Sequence, residues 1–410
     1  MTGEQSERDR GGDRVRTGLT RWFLRPPRQH GDVEYSREVS FLELFYDLVY
    51  VVVIARAAHT LAEDISWRSV AEFAVVFGMI WLAWLNGTVY HDLHGRDDGR
   101  SRAFIFVQML VLALLAVFTA DAAGESGTQF GLVYGAFLVV LTWLWYSVRR
   151  RDAAEYRVLT GRYLAGMIVS IPIVGGSAFL PDGPRLIVWA LFVAAWIAGG
   201  FLLGVTAGPG RDGGFVVTDS MVERFGLFTI IVLGEVVVGV VTGLSELEPD
   251  FRVVATGLIG LVVGFGIWWT YFDYVGRRLP RPAGWARSLW ALSHLPLAAG
   301  IAASGAAMVS LVAHAGDDRA PAPTAWLLTG SVALGLVALI GIMMSLRDFA
   351  RLSAIYRPLV PVVLGGATAA LGAGWWRPVP WLLATLVVAV LSVLWWFAVF
   401  RLLRLEDPAP

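Results

Sequence analysis

Twelve apolar runs, each of about 20 residues, leave this chain few folds to choose from. They lie near 40–62, 69–90, 103–121, 129–148, 163–180, 185–206, 217–243, 253–275, 288–313, 324–345, 358–375 and 379–400. As a helix, a run of that length spans the roughly 30 Å hydrocarbon core of a bilayer. The runs are continuous rather than alternating, which rules out an outer-membrane barrel. Composition agrees: 56% of the residues are hydrophobic and only 16% charged, against about 25% charged in a soluble domain. The expected fold is an all-α integral membrane protein of about twelve transmembrane helices.

Arginine sets the expected orientation, because cytoplasmic loops are rich in it. With the N-terminus inside, 26 of the 33 arginines fall in cytoplasmic segments and 5 in outside loops, while Arg56 and Arg224 lie within spans. Both termini are therefore expected to be cytoplasmic. Residues 1–39 read as a disordered, Arg-rich cytoplasmic tail, in which 19–24 (LTRWFL) has the character to lie on a membrane surface. The remainder divides into a first six-helix half, 40–206, and a second, 207–405. Spans 1 and 7 carry acids. Spans 2 and 8 end in aromatic-then-acid stretches, WLAWLNGTVYHD (81–92) and GIWWTYFD (266–273). Spans 3 and 9 place Gln108 and His294 in corresponding thirds. Six helices is an even number, so the halves are expected to be parallel repeats.

The acids in spans 1 and 7 single out the functional candidates. A charge at membrane depth costs roughly 2.5–3.5 kcal/mol on insertion scales, and such residues face a protein interior or a water-filled path. In span 1, Glu43 and Asp47 are four apart and share a helix face; two carboxylates this close titrate as a coupled pair. Glu43 also fits an acid at the headgroup level, and Asp47 fits interhelical glue. Arg56 and His59 lie on the opposite side of that helix. In span 7, Glu223 and Arg224 precede Glu235, the deepest acid. Arg224 and Glu235 are about 16 Å apart along the axis, so the expected partner of Glu235 is Arg56 from the other half. His294 reads as a satisfied hydrogen-bonder or a proton relay, and Asn86 and Gln108 as neutral polar lining. Asp273 and Asp92, at the inner ends of their spans, read as loop-facing. His91, Asp92 and His94, with Asp97 and Asp98, have helical spacing for a metal site. A short polar loop explains them as well, and no metal or other cofactor is expected.

Several functions are excluded or disfavoured. The chain contains neither cysteine nor lysine, so thiolate chemistry, Schiff bases and a Walker-type phosphate site are absent. Loops are short, no nucleophile–base arrangement stands out, and neither an enzyme nor a nucleic-acid partner is expected. LELFYDLVYVVVIARAAH (42–59), QML (108–110), ERFGLFTIIVLGE (223–235), WWTYFD (268–273) and SHLPLAAG (293–300) resemble the bacterial low temperature requirement protein A family. Tyr46 stands where a second phenylalanine is expected. The resemblance implies a multi-pass bacterial cell (inner) membrane protein from a family defined by growth in the cold rather than by a reaction. The leading expectation is a proton-coupled secondary transporter of a small solute or ion. In it Glu43, Asp47, Glu235 and His294 form the proton or ion pathway, and Arg56, His59, Glu223 and Arg224 are charge partners. Asn86, Gln108 and Asp273 are polar lining. The alternatives are an ion channel and a non-transporting membrane sensor or structural protein, with the lipid bilayer the one partner common to all three.

Overall fold

A computed structural model of the chain describes residues 26–29, 39–152, 154–206, 216–248 and 250–406. Twelve long helices lie among them. The first six are α1 (Phe41–Glu63), α2 (Trp67–His94), α3 (Gly99–Thr119), α4 (Gly127–Arg149), α5 (Ala154–Ser177) and α6 (Asp182–Thr206). The second six are α7 (Asp219–Ser245), α8 (Phe251–Tyr274), α9 (Gly284–Ala313), α10 (Ala322–Ser345), α11 (Ser353–Trp376) and α12 (Pro380–Glu406). By length and composition, α2 to α12 are all able to cross a membrane. The remaining helix is α1, 23 residues long with Glu43, Asp47 and Arg56 inside it. The protein is a multi-pass helical membrane bundle.

Local sequence explains where these helices begin. Ser40, Ser66, Asp98, Thr218 and Asp250 each accept a backbone N–H of the following first turn, which satisfies one of the donors a helix start leaves open. At α1 the cap is reciprocal: Glu43 reaches back to the Ser40 N–H, the capping-box arrangement. The α5 helix starts at Ala154, nine residues before its apolar run, because the polar segment AEYRVLTGR continues the same helix.

Neighbour relations recur between the halves. In the first, α1 packs on α2 and α3, α3 on α4, α4 on α5, α5 on α6, and α2 on α6. The second half contains the corresponding pairs from α7 to α12. Helix α9 joins the halves, packing on α1, α2 and α6 as well as on α7, α8 and α10. Its centre, GIAASGAAM, is built of small residues that let neighbouring backbones approach. A Cβ on Gly305 would run into the Glu235 backbone of α7, and one on Gly239 would run into the Gly305 carbonyl. The α7–α9 seam is thus backbone against backbone.

Part of the stretch expected to be a disordered tail is seated on the bundle. Pro27 and Arg28 are buried. The Arg28 N–H donates to the His94 carbonyl at 3.2 Å, His94 Nδ1 lies 2.9 Å from the Arg28 carbonyl, and the Arg28 guanidinium donates to the Asp92 carbonyl at 3.2 Å. Residues 19–24 lie outside the described residues.

Candidate functional site: the intramembrane acids

Asp47 lies on the buried face of α1 with Tyr46, Tyr50 and Ile54. It is 0% exposed, and facing it is Arg224 of α7, 1% exposed. Arg224 donates through Nη2 to Oδ1 at 2.6 Å and through Nε to Oδ2 at 3.3 Å. Trp84 of α2 donates its indole N–H to Oδ1 at 2.9 Å. Two carboxylate oxygens thus accept three donors from two other helices, in the fork geometry that makes arginine–carboxylate pairs strong and directional. Trp84 is itself fixed by Phe228, stacked with ring centroids 4.1 Å apart, and by Phe225 edge-on at 4.9 Å. The pair joins the first half to the second. Breaking such a pair from one side costs about 3–5 kcal/mol, because the surviving charge stays buried.

Around it lies a second tier of polar groups. Tyr46 and Tyr50 share a hydrogen bond of 3.0 Å between their hydroxyls. The Tyr46 hydroxyl fits against α2 only because residue 87 is glycine; a Cβ there would overlap it. His91 packs edge-on against Tyr46, centroids 5.8 Å apart, and its Nε2 lies 3.2 Å from Gln108 Oε1. Glu43 is buried beside Ser40 at the start of α1.

Glu235 is built differently. It sits three residues past the midpoint of α7, is 5% exposed, and has no hydrogen bond or ion pair to any described residue. Its helix neighbour on that face is the Gly305 backbone of α9. His294, also on α9, is held at both ring nitrogens. Nδ1 donates to the Trp290 carbonyl at 2.7 Å, and Nε2, 3.1 Å away, accepts the Tyr271 hydroxyl.

The structure separates the remaining candidates from this centre. Arg56 does not meet Glu235: it is exposed, because nine residues of helix turn it half a revolution from Asp47. His59 is exposed and lies 3.3 Å from Glu63 on its own helix. Glu223 is exposed, one helical step of about 100° from the buried Arg224. Asn86 turns its amide back to the Leu82 carbonyl at 2.7 Å. Asp273 is exposed and accepts the Trp395 indole N–H at 3.0 Å. Asp92, expected to face a loop, is buried instead. It takes the Thr218 hydroxyl at 2.7 Å and the Ser220 hydroxyl, so the end of α2 holds the start of α7. Among the described residues no three His, Asp or Glu side chains are placed to hold a metal.

Sequence reasoning missed Trp84 and the Asp92–Thr218–Ser220 clasp. Trp84 falls inside the quoted stretch 81–92, but nothing in that segment states that its indole N–H reaches Asp47 of another helix.

Similarity to known proteins covers the helices that build this centre along with most of the chain. A protein of Rhizobium meliloti (strain 1021), described as Uncharacterized protein RA0937, is 26% identical over 281 residues, which is 64% of this chain and 67% of that one. The profile of the family described as Bacterial low temperature requirement A protein (LtrA) matches residues 38–397, from the cap of α1 into α12. The match takes in Asp47, Trp84, Arg224 and Glu235, and the chain belongs to the bacterial low temperature requirement A family.

Proposed function

We propose that the protein is a proton-coupled secondary transporter of a small solute or ion rather than an enzyme. In this reading it sits in the bacterial inner membrane with both termini cytoplasmic and is built as two parallel six-helix repeats. The recurring neighbour pattern of the halves supports the repeat, and the arginine split supports the orientation. The observation that carries the function is Glu235, a buried acid near the middle of α7 without a partner among the described residues. A lone carboxylate in hydrocarbon is expensive, so such a group exchanges a proton or takes a cation each time water reaches it. Asp47, tied to Arg224 and Trp84, couples that event to the packing of one half on the other.

The test is proton flux into liposomes holding the purified protein, read by an internal pH dye against a panel of salts and solutes. Flux driven by one solute and abolished in Glu235→Gln is the expected result. A silent, monodisperse protein overturns the reading. It would favour the membrane sensor or structural role, which the Asp47–Arg224 clamp between the halves also fits.

A further inference from the structure

Asp47 is saturated, but the groups around it are not. Arg224 spends Nε and Nη2 on Asp47, and its Nη1 has no hydrogen-bond partner although the side chain is fully enclosed. Gln108 turns Oε1 to His91 and leaves Nε2 without a partner, in a residue with no exposure. The hydroxyls of Tyr46 and Tyr50 make one hydrogen bond between them, which leaves one phenol hydrogen over. Tyr46 lies between the Arg224 guanidinium and the imidazole that holds Gln108. The Tyr46 ring centroid lies 6.0 Å from Arg224 Cζ and 5.8 Å from that imidazole. All three surplus groups are donors. A buried donor without an acceptor costs about 1–3 kcal/mol, and native proteins keep few of them. A donor surplus around a guanidinium selects for an oxygen-rich anion.

We propose that Arg224 binds a small monovalent anion with planar oxygens, a carboxylate or nitrate, in exchange for the carboxylate of Asp47. This rests on the transport reading above and supplies its solute class. One proton goes to an Asp47 oxygen, Asp47 releases Nε and Nη2, and the anion's oxygens take those donors together with Nη1. Gln108 and the Tyr46–Tyr50 pair provide the neutral donors. The charge at the centre is the same before and after: the incoming anion takes the place of the Asp47 carboxylate opposite Arg224. A guanidinium in a low-dielectric interior cannot be left without a counter-ion, so proton and anion move together. One proton and one anion then cross with no net charge. The other titratable groups around Asp47 are Glu43, Tyr46 and Tyr50 on α1 and His91 on α2. On α9, His294 is separated from Trp84 by the Phe225 ring.

The experiment imposes inward gradients of nitrate, and separately of lactate, on proteoliposomes with a pH dye inside. Potassium and valinomycin clamp the voltage at zero. Acidification that persists unchanged under the clamp is expected. Asp47→Asn should still admit the anion but without protons, so that uptake becomes voltage-driven. Gln108→Leu leaves the ion pair intact and should raise the half-saturating anion concentration about tenfold, equivalent to about 1.4 kcal/mol. If a cation or neutral solute drives protons and neither anion does, the anion site is wrong and the transport reading stands. If no solute drives protons through monodisperse protein, both fall, and the surplus donors serve only bound water. Coupling that survives Asp47→Asn overturns the exchange.

Discussion

Asp47 and Glu235 are both buried acids in the leading helix of a six-helix half, yet their surroundings differ completely. Asp47 meets a guanidinium and an indole from two other helices. Glu235 faces a glycine backbone and has no polar partner among the described residues. The first arrangement ties the two halves together as long as no anion replaces Asp47 on Arg224; the second leaves a carboxyl that no donor among the described residues holds. Depth in the membrane therefore does not rank acids by role. What ranks them is whether a neighbouring helix supplies donors.

Four substitutions bear on that contrast. Arg224→Ala strands a buried carboxylate and should lower stability by about 3–5 kcal/mol, read as thermal unfolding in detergent; a small shift would mean that Asp47 finds other donors. Trp84→Phe removes one hydrogen bond to a charged group and should cost about 1.5–3 kcal/mol by the same measurement. Gly239→Ala forces a Cβ onto the Gly305 carbonyl and should cost about 1–3 kcal/mol. Wild-type stability in that variant would show that the seam yields easily. Glu235→Gln breaks no contact and should change stability by less than about 0.5 kcal/mol while stopping solute-driven proton flux. If it destabilises as much as Arg224→Ala, Glu235 has a partner and the contrast collapses.

The membrane fold was legible because apolar run length and helix rise are local quantities. The facing directions were partly legible too. Arg56 falls opposite Asp47 on a helical wheel, and Glu223 and Arg224, being adjacent, cannot face the same way. Partnership was not legible. Asp47 and Arg224 are 177 residues apart, and nothing in either segment states that α1 and α7 touch. Arg56 was the natural partner for Glu235 by charge alone; orientation removed it. Asp92 misled for a related reason. It ends its span, where an acid is normally solvated, but the start of α7 folds over it and covers it with two hydroxyls.

That separation in sequence also sets a schedule for biogenesis. Asp92 receives Thr218 only after 126 further residues are made, and Asp47 waits 177 for Arg224. At about 5–20 residues per second, Asp47 spends about 10–35 s in a nascent chain that lacks its counter-charge. The first six helices thus enter the membrane with a carboxyl that their own sequence cannot neutralise by this route. Insertion of α7 is the step that completes them, so a chain truncated ahead of it is a natural substrate for membrane quality control.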